Sequence, residues 1–384
     1  MNFIPYGRQQ VDQDDIDAVI EVLKSDWLTQ GPGVEKFERA VADHCGAKYG
    51  VAVSSGTAAL HIASLAAGLS SGDILWTSPN SFVASANAGL YCGAEVDFVD
   101  IEIDSGNMSV EKLEEKLLTA EKIGKLPKVL IPVHFAGKPC DMDRIAALSK
   151  KYGFIVIEDA SHAIGASIKD DRVGSSLYSD MTIFSFHPVK VVTTGEGGMV
   201  VTNNKAHYEN LIKLRSHGIT KNPAEMDNES EGGWYYQQIQ LGLNYRLSDM
   251  HAALGLSQMA KLDSFVAKRN ELAGRYDKLL AGLPLKPLKR DEGLYSAFHL
   301  YVVLLDVGLD RRKLFDSLRA KNIGVMVHYI PIHLQPWYAK LGFKPGDFPA
   351  SESYYKRALT IPLYPSMSED EQDYVVKSLK EDLG

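Results

Sequence analysis

Residues 141–159 read DMDRIAALSKKYGFIVIED, and this stretch decides the fold. Its first part predicts a helix over Asp141–Tyr152, closed by Gly153 as the C-terminal cap. The apolar run Phe154–Glu158 then predicts a buried strand, directly followed by Asp159. A helix that leads at once into a buried strand is the unit from which a largely parallel, helix-covered sheet is built.

The same alternation extends outward on both sides, from residue 50 to about residue 200. It predicts an α/β fold with a mainly parallel sheet. Functional side chains in such sheets gather at the carboxyl ends of the strands. The further strands predicted are Val51–Ser54, Ile74–Thr77, Val96–Val99, Val129–Val133 and Met181–Phe186, and the further helices are Thr57–Ala67 and Phe82–Leu90.

The C-terminal third has a different order of elements. Ser248 is a plausible N-cap for one long helix that reaches about Ala281 and joins two domains. The sequence therefore predicts a large α/β domain over residues 1–255 and a small α+β domain over 256–384, entered through that helix. Polar residues 220–238 predict a surface loop. Within the small domain we expect the strand Leu300–Leu305, the helix Arg311–Ala320, the strand Gly324–His328, and a last helix opened by the capping box Ser368-x-x-Glu371.

Composition narrows the class of protein. Of 384 residues, 45% are hydrophobic and 23% are charged, and no apolar run is long enough to span a membrane. The net charge is −8 without a Lys/Arg run, so no nucleic-acid partner is expected. Cys45, Cys92 and Cys140 are widely spaced, which predicts neither disulfides nor a metal site. The N-terminus lacks the pattern of an export signal, so we expect a cytoplasmic protein.

Two residues of opposite charge follow two predicted strands. Asp159 comes after Phe154–Glu158, and Lys190 follows Met181–Phe186. Pyridoxal phosphate needs such a pair, because an amine binds its aldehyde and a carboxylate keeps its ring nitrogen protonated. An ordinary ion pair is the alternative, and the spacing alone does not decide between them.

A second segment could hold a phosphate group. Ser54–Ala59 joins a strand to a helix whose first N–H groups are free. A simple helix cap would look the same. The glycine-rich segment Thr193–Gly198 matches neither the dinucleotide pattern nor the nucleotide phosphate loop, which argues against a dehydrogenase or an NTPase.

Six separate motifs follow one another along the chain: Ser55–His61, Glu158–Ala163, Ser185–Lys190, Thr194–Gly198, Leu214–Gly218 and Leu243–Asp249. Together they resemble the DegT/DnrJ/EryC1/StrS family of sugar aminotransferases across essentially the whole chain. The resemblance implies a PLP-dependent, aspartate-aminotransferase-like fold (fold type I), with pyridoxal 5′-phosphate bound in the large domain. It also implies a homodimer with shared active sites.

The same resemblance assigns roles to individual residues. Lys190 would carry the cofactor as a Schiff base and move the proton, Asp159 would pair with the ring nitrogen, and His162 would approach the ring hydroxyl. Phe82 would stack on the ring. The phosphate would be held by Ser55, Gly56, Thr57, Ala58 and Ser185, joined by Asn244 of the partner subunit.

Substrate recognition is implied for segments near the N-terminus, after the sheet and in the small domain. The residues concerned are Tyr6, Thr29, Gln30, His328 and Tyr329, and loop or strand packing is the alternative role for these segments. Arg215 and Arg246 are candidate contacts of the diphosphate because guanidinium groups suit phosphate oxygens, and solvated surface charges are the alternative. Segments 242–249 and 328–332 look closest to a branch that serves pseudaminic acid biosynthesis. That branch uses L-glutamate to aminate C4 of a UDP-linked keto-sugar, UDP-2-acetamido-2,6-dideoxy-β-L-arabino-hex-4-ulose.

Other functions stay open at this point. A sibling aminotransferase would act on another UDP-, GDP- or dTDP-linked 4-keto sugar. A sugar dehydratase of the same fold would lack the lysine, so Lys190 argues against it. A regulatory protein without turnover would not need Lys190, Asp159 and the phosphate segment together.

Overall fold

Strands and helices alternate along most of the chain, of which the computed structural model describes residues 2–383. The strands are β1 Tyr49–Val53, β2 Ile74–Thr77, β3 Glu95–Phe98, β4 Val129–Ile131, β5 Ile155–Asp159, β6 Ser167–Ile168, β7 Asp171–Arg172, β8 Met181–Ser185, β9 Gly198–Thr202, β10 Ile219–Thr220, β11 Gln237–Gln238, β12 Leu285–Pro287, β13 Leu294–Tyr295, β14 Tyr301–Leu305 and β15 Ala358–Ile361.

The helices pack on both faces of the sheets. They are α1 Gln13–Lys24, α2 Pro32–Cys45, α3 Gly56–Ala66, α4 Ala84–Tyr91, α5 Val110–Lys122, α6 Met142–Tyr152, α7 Lys205–Arg215, α8 Asp249–Met259, α9 Leu262–Leu279, α10 Arg311–Ala320, α11 Pro336–Ala339, α12 Pro349–Arg357 and α13 Glu369–Leu383.

A seven-stranded sheet forms the centre of the molecule, in the order β1-β9-β8-β5-β4-β2-β3. The pairs from β8 through β5, β4 and β2 to β3 are parallel. Strand β9 runs antiparallel to both of its neighbours, β1 and β8. The predicted α/β fold with a mainly parallel sheet is therefore confirmed.

Side chains of the sheet alternate between its two faces, and both faces are buried. Val51 and Val53 of β1 belong to the apolar cluster beneath α3, whereas Ala52 belongs to the cluster on the other face with Phe37 of α2. Helix α6 and strand β5 form as the sequence predicts. The side chain of Asp141 accepts the Arg144 amide at the start of α6, and Gly153 ends that helix in the left-handed region at φ 78°.

The single long helix predicted from Ser248 to Ala281 is wrong, because the chain forms two helices, α8 and α9. Its backbone turns at Lys261, whose amide bonds to the carbonyl of Gln258, three residues back. The Lys261 ammonium group pairs with Asp12 (2.5 Å) and Asp15 (3.0 Å) at the start of α1. A contact between distant parts of the chain thus accompanies the break.

The strand predicted over Gly324–His328 is also absent. The chain changes partner within this segment, since Ile323 pairs with Ile4 and Met326 pairs with Thr360, each through an isolated bridge. Neither partner continues long enough to form a ladder. The small sheet consists instead of β12, β14 and β15.

Other boundaries differ by a few residues. Strand β4 ends at Ile131 rather than Val133, since Pro132 has no N–H to donate to the ladder. The last helix, α13, has the expected capping box, with Ser368 and Glu371 each accepting the other's backbone amide. Residues 220–238 form a loop closed by the short pair β10 and β11. The domain boundary at residue 255 stays a prediction. None of the helices within residues 2–383 is long and apolar enough to cross a membrane.

Candidate active site

The carboxyl ends of β1, β5 and β8 meet at a cavity of about 630 Å³. The turn after β1 contributes Ser54–Thr57, β5 contributes Asp159, and the segment after β8 contributes Lys190. His328 and Tyr329, from the C-terminal third of the chain, close the cavity from the other side. Tyr6 reaches the same wall from the N-terminal segment.

Lys190 is partly buried in the cavity wall, on a turn in which its amide bonds to the carbonyl of His187 (2.9 Å). Burial lowers the pKa of its ammonium group to about 8, and the nearby charge of Asp159 acts in the opposite direction. About one amine in ten is therefore neutral at pH 7, and the neutral amine is the form that attacks an aldehyde.

Asp159 is only 5% exposed, and both of its carboxylate oxygens accept hydrogen bonds. Ser85 donates its hydroxyl at 2.7 Å, and Ser161 donates its amide at 3.1 Å. Ser81 lies behind Ser85, with the two hydroxyl oxygens 2.8 Å apart. The carboxylate is thus fixed in direction before any ligand arrives.

Helix α3 begins at the cavity wall. Ser55 is its N-cap, with its hydroxyl accepting the amide of Ala58 at 3.1 Å. The amides of Gly56 and Thr57, in the first turn, have no acceptor within the helix. A Cβ atom on Gly56 would lie 2.8 Å from the Cβ of Ser185, so this close approach requires glycine. Ser55, Gly56, Thr57 and Ser185 line the cavity, and Ala58 lies behind the wall.

His162 is buried beside the cavity and makes a contact at each ring nitrogen. Its Nδ1 accepts the amide of Ala136 (3.2 Å), and its Nε2 lies 3.2 Å from the hydroxyl of Tyr329. Burial, followed by the charges of Lys190 and His328, holds the pKa of His162 well below its usual range. The ring is neutral, and because Nδ1 accepts a proton donor, Nε2 carries the hydrogen.

The outer wall of the cavity is aromatic. The ring of Tyr6 lies 5.4 Å from that of His328, and Phe82 lies 6.4 Å from Tyr329, measured between ring centroids. Phe82 is 59% exposed at the rim. His328 shares a hydrogen bond with Thr360 (2.8 Å), and burial, followed by the charge of Lys190, lowers its pKa to about 3.

Besides Ala58, five predicted residues do not line this cavity. Gln30, Arg215 and Arg246 line a separate cleft of about 250 Å³. Arg215 pairs there with Glu38 and donates to the carbonyl of Ala52 at 2.8 Å. The other two are exposed, and each forms a single bridge within its own chain. They are Thr29, bridged to Ser248, and Asn244, bridged to Ser216.

Sequence reasoning missed the serine pair that supports Asp159. Ser81 and Ser85 are four residues apart at the start of a predicted helix, a spacing that places them on one face. That spacing, just after strand β2, was the available signal. The other lining residues that it missed include His187, Val189 and Glu196. Within residues 2–383, no group of three His, Cys, Asp or Glu side chains could hold a metal ion.

The cavity fits pyridoxal phosphate. It offers a reactive amine, an anchored carboxylate and the open first turn of a helix, which are the groups that its aldehyde, ring nitrogen and phosphate require. A family model described as the DegT/DnrJ/EryC1/StrS aminotransferase family matches residues 9–380.

The chain belongs to this family.

Its similarity to members of the DegT/DnrJ/EryC1/StrS family extends over nearly the full length. It is 40% identical to the UDP-4-amino-4,6-dideoxy-N-acetyl-β-L-altrosamine transaminase of Campylobacter jejuni (serotype O:2), over 98% of this chain and 96% of that one. It is 39% identical to the spore coat polysaccharide biosynthesis protein SpsC of Bacillus subtilis, over 99% and 97%. The solved structure of Helicobacter pylori PseC, an aminotransferase involved in pseudaminic acid biosynthesis, superposes with a TM-score of 0.90 at 30% identity, covering 100% and 99% of the two chains.

Members of the DegT/DnrJ/EryC1/StrS aminotransferase family are PLP-dependent enzymes. The predicted fold type, enzyme class and cofactor are therefore confirmed for this protein. It is a sugar aminotransferase.

Proposed function

We propose that this enzyme transfers the amino group of L-glutamate to C4 of UDP-2-acetamido-2,6-dideoxy-β-L-arabino-hex-4-ulose. The product would be UDP-4-amino-4,6-dideoxy-N-acetyl-β-L-altrosamine. One observation carries the reaction class: an amine of lowered pKa and an anchored carboxylate, Lys190 and Asp159, face one cavity. The 40% identity to the Campylobacter transaminase supports the particular sugar.

When bound, pyridoxal phosphate supplies a ring that accepts electrons from the carbon that gains or loses a proton. Lys190 would hold the cofactor and, as a free amine, would carry that proton at the reacting carbon of the sugar. Asp159 holds the proton on the ring nitrogen, and its bonds to Ser85 and Ser161 keep it aimed into the cavity.

The remaining walls orient the cofactor. The phosphate fits the first turn of α3 next to Ser185, where Gly56 leaves room for it. Phe82 covers one face of the ring. His162 offers its Nε2–H toward the ring hydroxyl, in the direction that Tyr329 now occupies.

A second copy of the chain completes the site in this proposal. The cavity lining contains Lys190 but no arginine, whereas a nucleotide diphosphate calls for several cations. Asn244 and Thr29 are exposed on the surface of their own chain, which leaves them free to reach a partner's cavity. An exposed apolar stripe, formed by Ile16, Ile20 and Leu23 of α1 followed by Trp27, gives such a partner a surface to cover.

Cytoplasmic location stays a prediction.

A sibling substrate is the second candidate function. SpsC, whose name assigns it to spore coat polysaccharide biosynthesis, is as similar to this chain as the Campylobacter transaminase, at 39% against 40% identity. The test of function therefore includes other UDP-, GDP- or dTDP-linked 4-keto sugars as alternative substrates.

The test follows the visible absorbance of the purified holoenzyme. L-Glutamate should remove the band of the lysine-bound cofactor, and the L-arabino 4-ulose should restore it. Sugars with another base or another C4 configuration are added one at a time in parallel. If only a different sugar restores the band, that sugar is the substrate and the reaction class is unchanged.

Two variants separate the proposed roles. Lys190→Ala should fold, lose the lysine-dependent band and show no turnover, since no other amine lines the cavity within residues 2–383. Asp159→Asn should keep the band but lower kcat by about 100-fold or more, because the ring nitrogen loses its anionic partner. Normal turnover in either variant would contradict its assigned role.

A further inference from the structure

A second carboxylate lies on the opposite side of β5 from the cavity. Neighbouring residues of a strand point to opposite faces, so Asp159 faces the cavity and Glu158 faces the core. Glu158 is 3% exposed. Its Oε2 lies 2.6 Å from Nε2 of His134, and its Oε1 accepts the hydroxyls of Ser179 and Thr182.

These donors come from both strands that flank β5. His134 lies just beyond β4, while Ser179 and Thr182 lie at the start of β8. The backbone is tied at the same level, because the amide of His134 donates to the carbonyl of Asp159 at 3.1 Å. Glu158 thus joins β4, β5 and β8 at the point where Asp159 leaves the sheet.

The carboxylate is the charged member of this cluster. Burial acts to lower the pKa of His134, whereas its contacts with Cys140 and Glu158 act to raise it and would favour a charged ring. The geometry requires the neutral form, because Nδ1 accepts the amide of Cys140 at 3.1 Å and an imidazolium ring has no nitrogen left to accept a hydrogen bond. The hydrogen of the ring is therefore on Nε2, directed at Glu158. Burial acts to raise the pKa of Glu158, but hydrogen bonds from His134, Ser179 and Thr182 outweigh it and hold this pKa below its usual value.

No cation contacts this buried negative charge among the residues that the structure describes. The other titratable groups around Glu158 are the thiols of Cys45 on α2 and Cys140 after β4, and Asp159 itself. The charge of Arg172 on β7 also acts on Cys45, but this guanidinium group is paired with Asp263 at 2.9 Å. The titratable groups that line the cavity are Tyr6, Asp159, His162, His187, Lys190, Glu196, His328 and Tyr329. The field of Glu158 is therefore felt at the cavity without a local counter-ion.

We propose that Glu158 is a positioning residue of the active site, which locks the end of β5 through His134 and places a second negative charge behind Asp159. It does not touch the substrate or the cofactor. This inference rests on the proposed placement of pyridoxal phosphate at Lys190 and Asp159. A unit charge about 10 Å away, at an effective dielectric of about 20, changes a pKa by roughly one unit.

The test is the pH titration of the visible absorbance of the holoenzyme, together with the dissociation constant of pyridoxal phosphate. Glu158→Gln keeps the size of the side chain and removes its charge. Because a negative charge favours the protonated, positive form of the bound cofactor, its loss should lower the titration midpoint by about one unit. The dissociation constant of pyridoxal phosphate should rise several-fold.

Asp180→Asn is the matched control. The carboxylate of Asp180 also holds β5, through the amide of Val156 (2.9 Å), but at the end of the strand remote from the cavity. Its loss should leave the midpoint unchanged. The double variant S179A/T182V removes two of the three side-chain donors to Glu158, so the pKa of this buried carboxyl should rise and the midpoint should move toward that of Glu158→Gln.

The outcomes are distinct. If the wild-type protein shows no band that depends on Lys190, the proposed cofactor site fails. If the wild type shows it and folded Glu158→Gln titrates at the wild-type midpoint, the role of Glu158 is refuted. Should Glu158→Gln fail to fold, the double variant decides, and a wild-type midpoint there refutes the role equally.

Discussion

At the scale of single residues, Lys190 determines when the protein can accept its cofactor. Its pKa of about 8 leaves about one amine in ten neutral at pH 7, against roughly one in several thousand for an ordinary lysine. The rate of pyridoxal phosphate capture by the cofactor-free protein should rise about tenfold per pH unit and level off above pH 8. Stopped-flow absorbance measures it, and a rise that continues to pH 10 would show an unperturbed amine.

Single residues also show what the sequence could predict about the site. Lys190 and Asp159 were found because each follows an apolar strand, and parallel strands bring their carboxyl ends together. Ser85 was missed because its spacing from Ser81 does not identify the group that it contacts, Asp159, which lies 74 positions away. Arg215 was expected at the substrate, yet its pairing with Glu38 depends on how α2 packs on the sheet.

At the scale of elements, the position of the first turn of α3 depends on the absence of a side chain at Gly56. In Gly56→Ala, the new Cβ would meet Ser185 at 2.8 Å, so helix and strand must separate where the phosphate is expected. The dissociation constant of pyridoxal phosphate should rise about tenfold or more, measured by fluorescence titration. Gly274→Ala in α9 is the control, because its Cβ would meet nothing within 4 Å. Equal cofactor affinity in both variants would contradict this reading of α3.

Two helices are joined by one carboxylate. Asp249, in the first turn of α8, accepts the amides of Gly31 and Gly33 at the start of α2, each at 2.8 Å. Asp249→Ala should lower the free energy of unfolding by about 2–3 kcal/mol, because two partly buried amides lose their acceptor. Urea unfolding measures the loss. Asp263→Ala, which removes a mostly exposed partner of Arg172, should change it by less than about 1 kcal/mol.

Elements were predicted well where a local signal marks their ends. Strand β2 and helix α10 have the expected bounds, and Gly153 ends α6 as expected. The break between α8 and α9 carries neither glycine nor proline, and the apolar spacing continues through it from Met259 to Leu262. The pairing of Lys261 with Asp12 and Asp15, which no local pattern reveals, accompanies the break.

At the scale of the whole molecule, the proposed sharing of sites between two chains can be tested by mixing inactive variants. Lys190→Ala lacks the amine, and Asn244→Ala lacks a group expected to reach the partner's cavity. If sites are shared, a heterodimer contains one site with both residues intact and recovers up to about half of the activity of a wild-type dimer. Activity that never exceeds the sum of the separate variants would indicate sites complete within one chain.

The loop over residues 221–236 has a further consequence for the molecule. Strands β10 and β11 pair across it, and the amide of His217 bonds to the carbonyl of Leu243 at 2.8 Å, so the backbone on either side is held together independently of the loop. A protease that cleaves after Glu229 or Glu231, both exposed, should leave the two fragments associated. The polypeptide could therefore be supplied as two separately expressed pieces, 1–229 and 230–384, that reassemble into one catalyst.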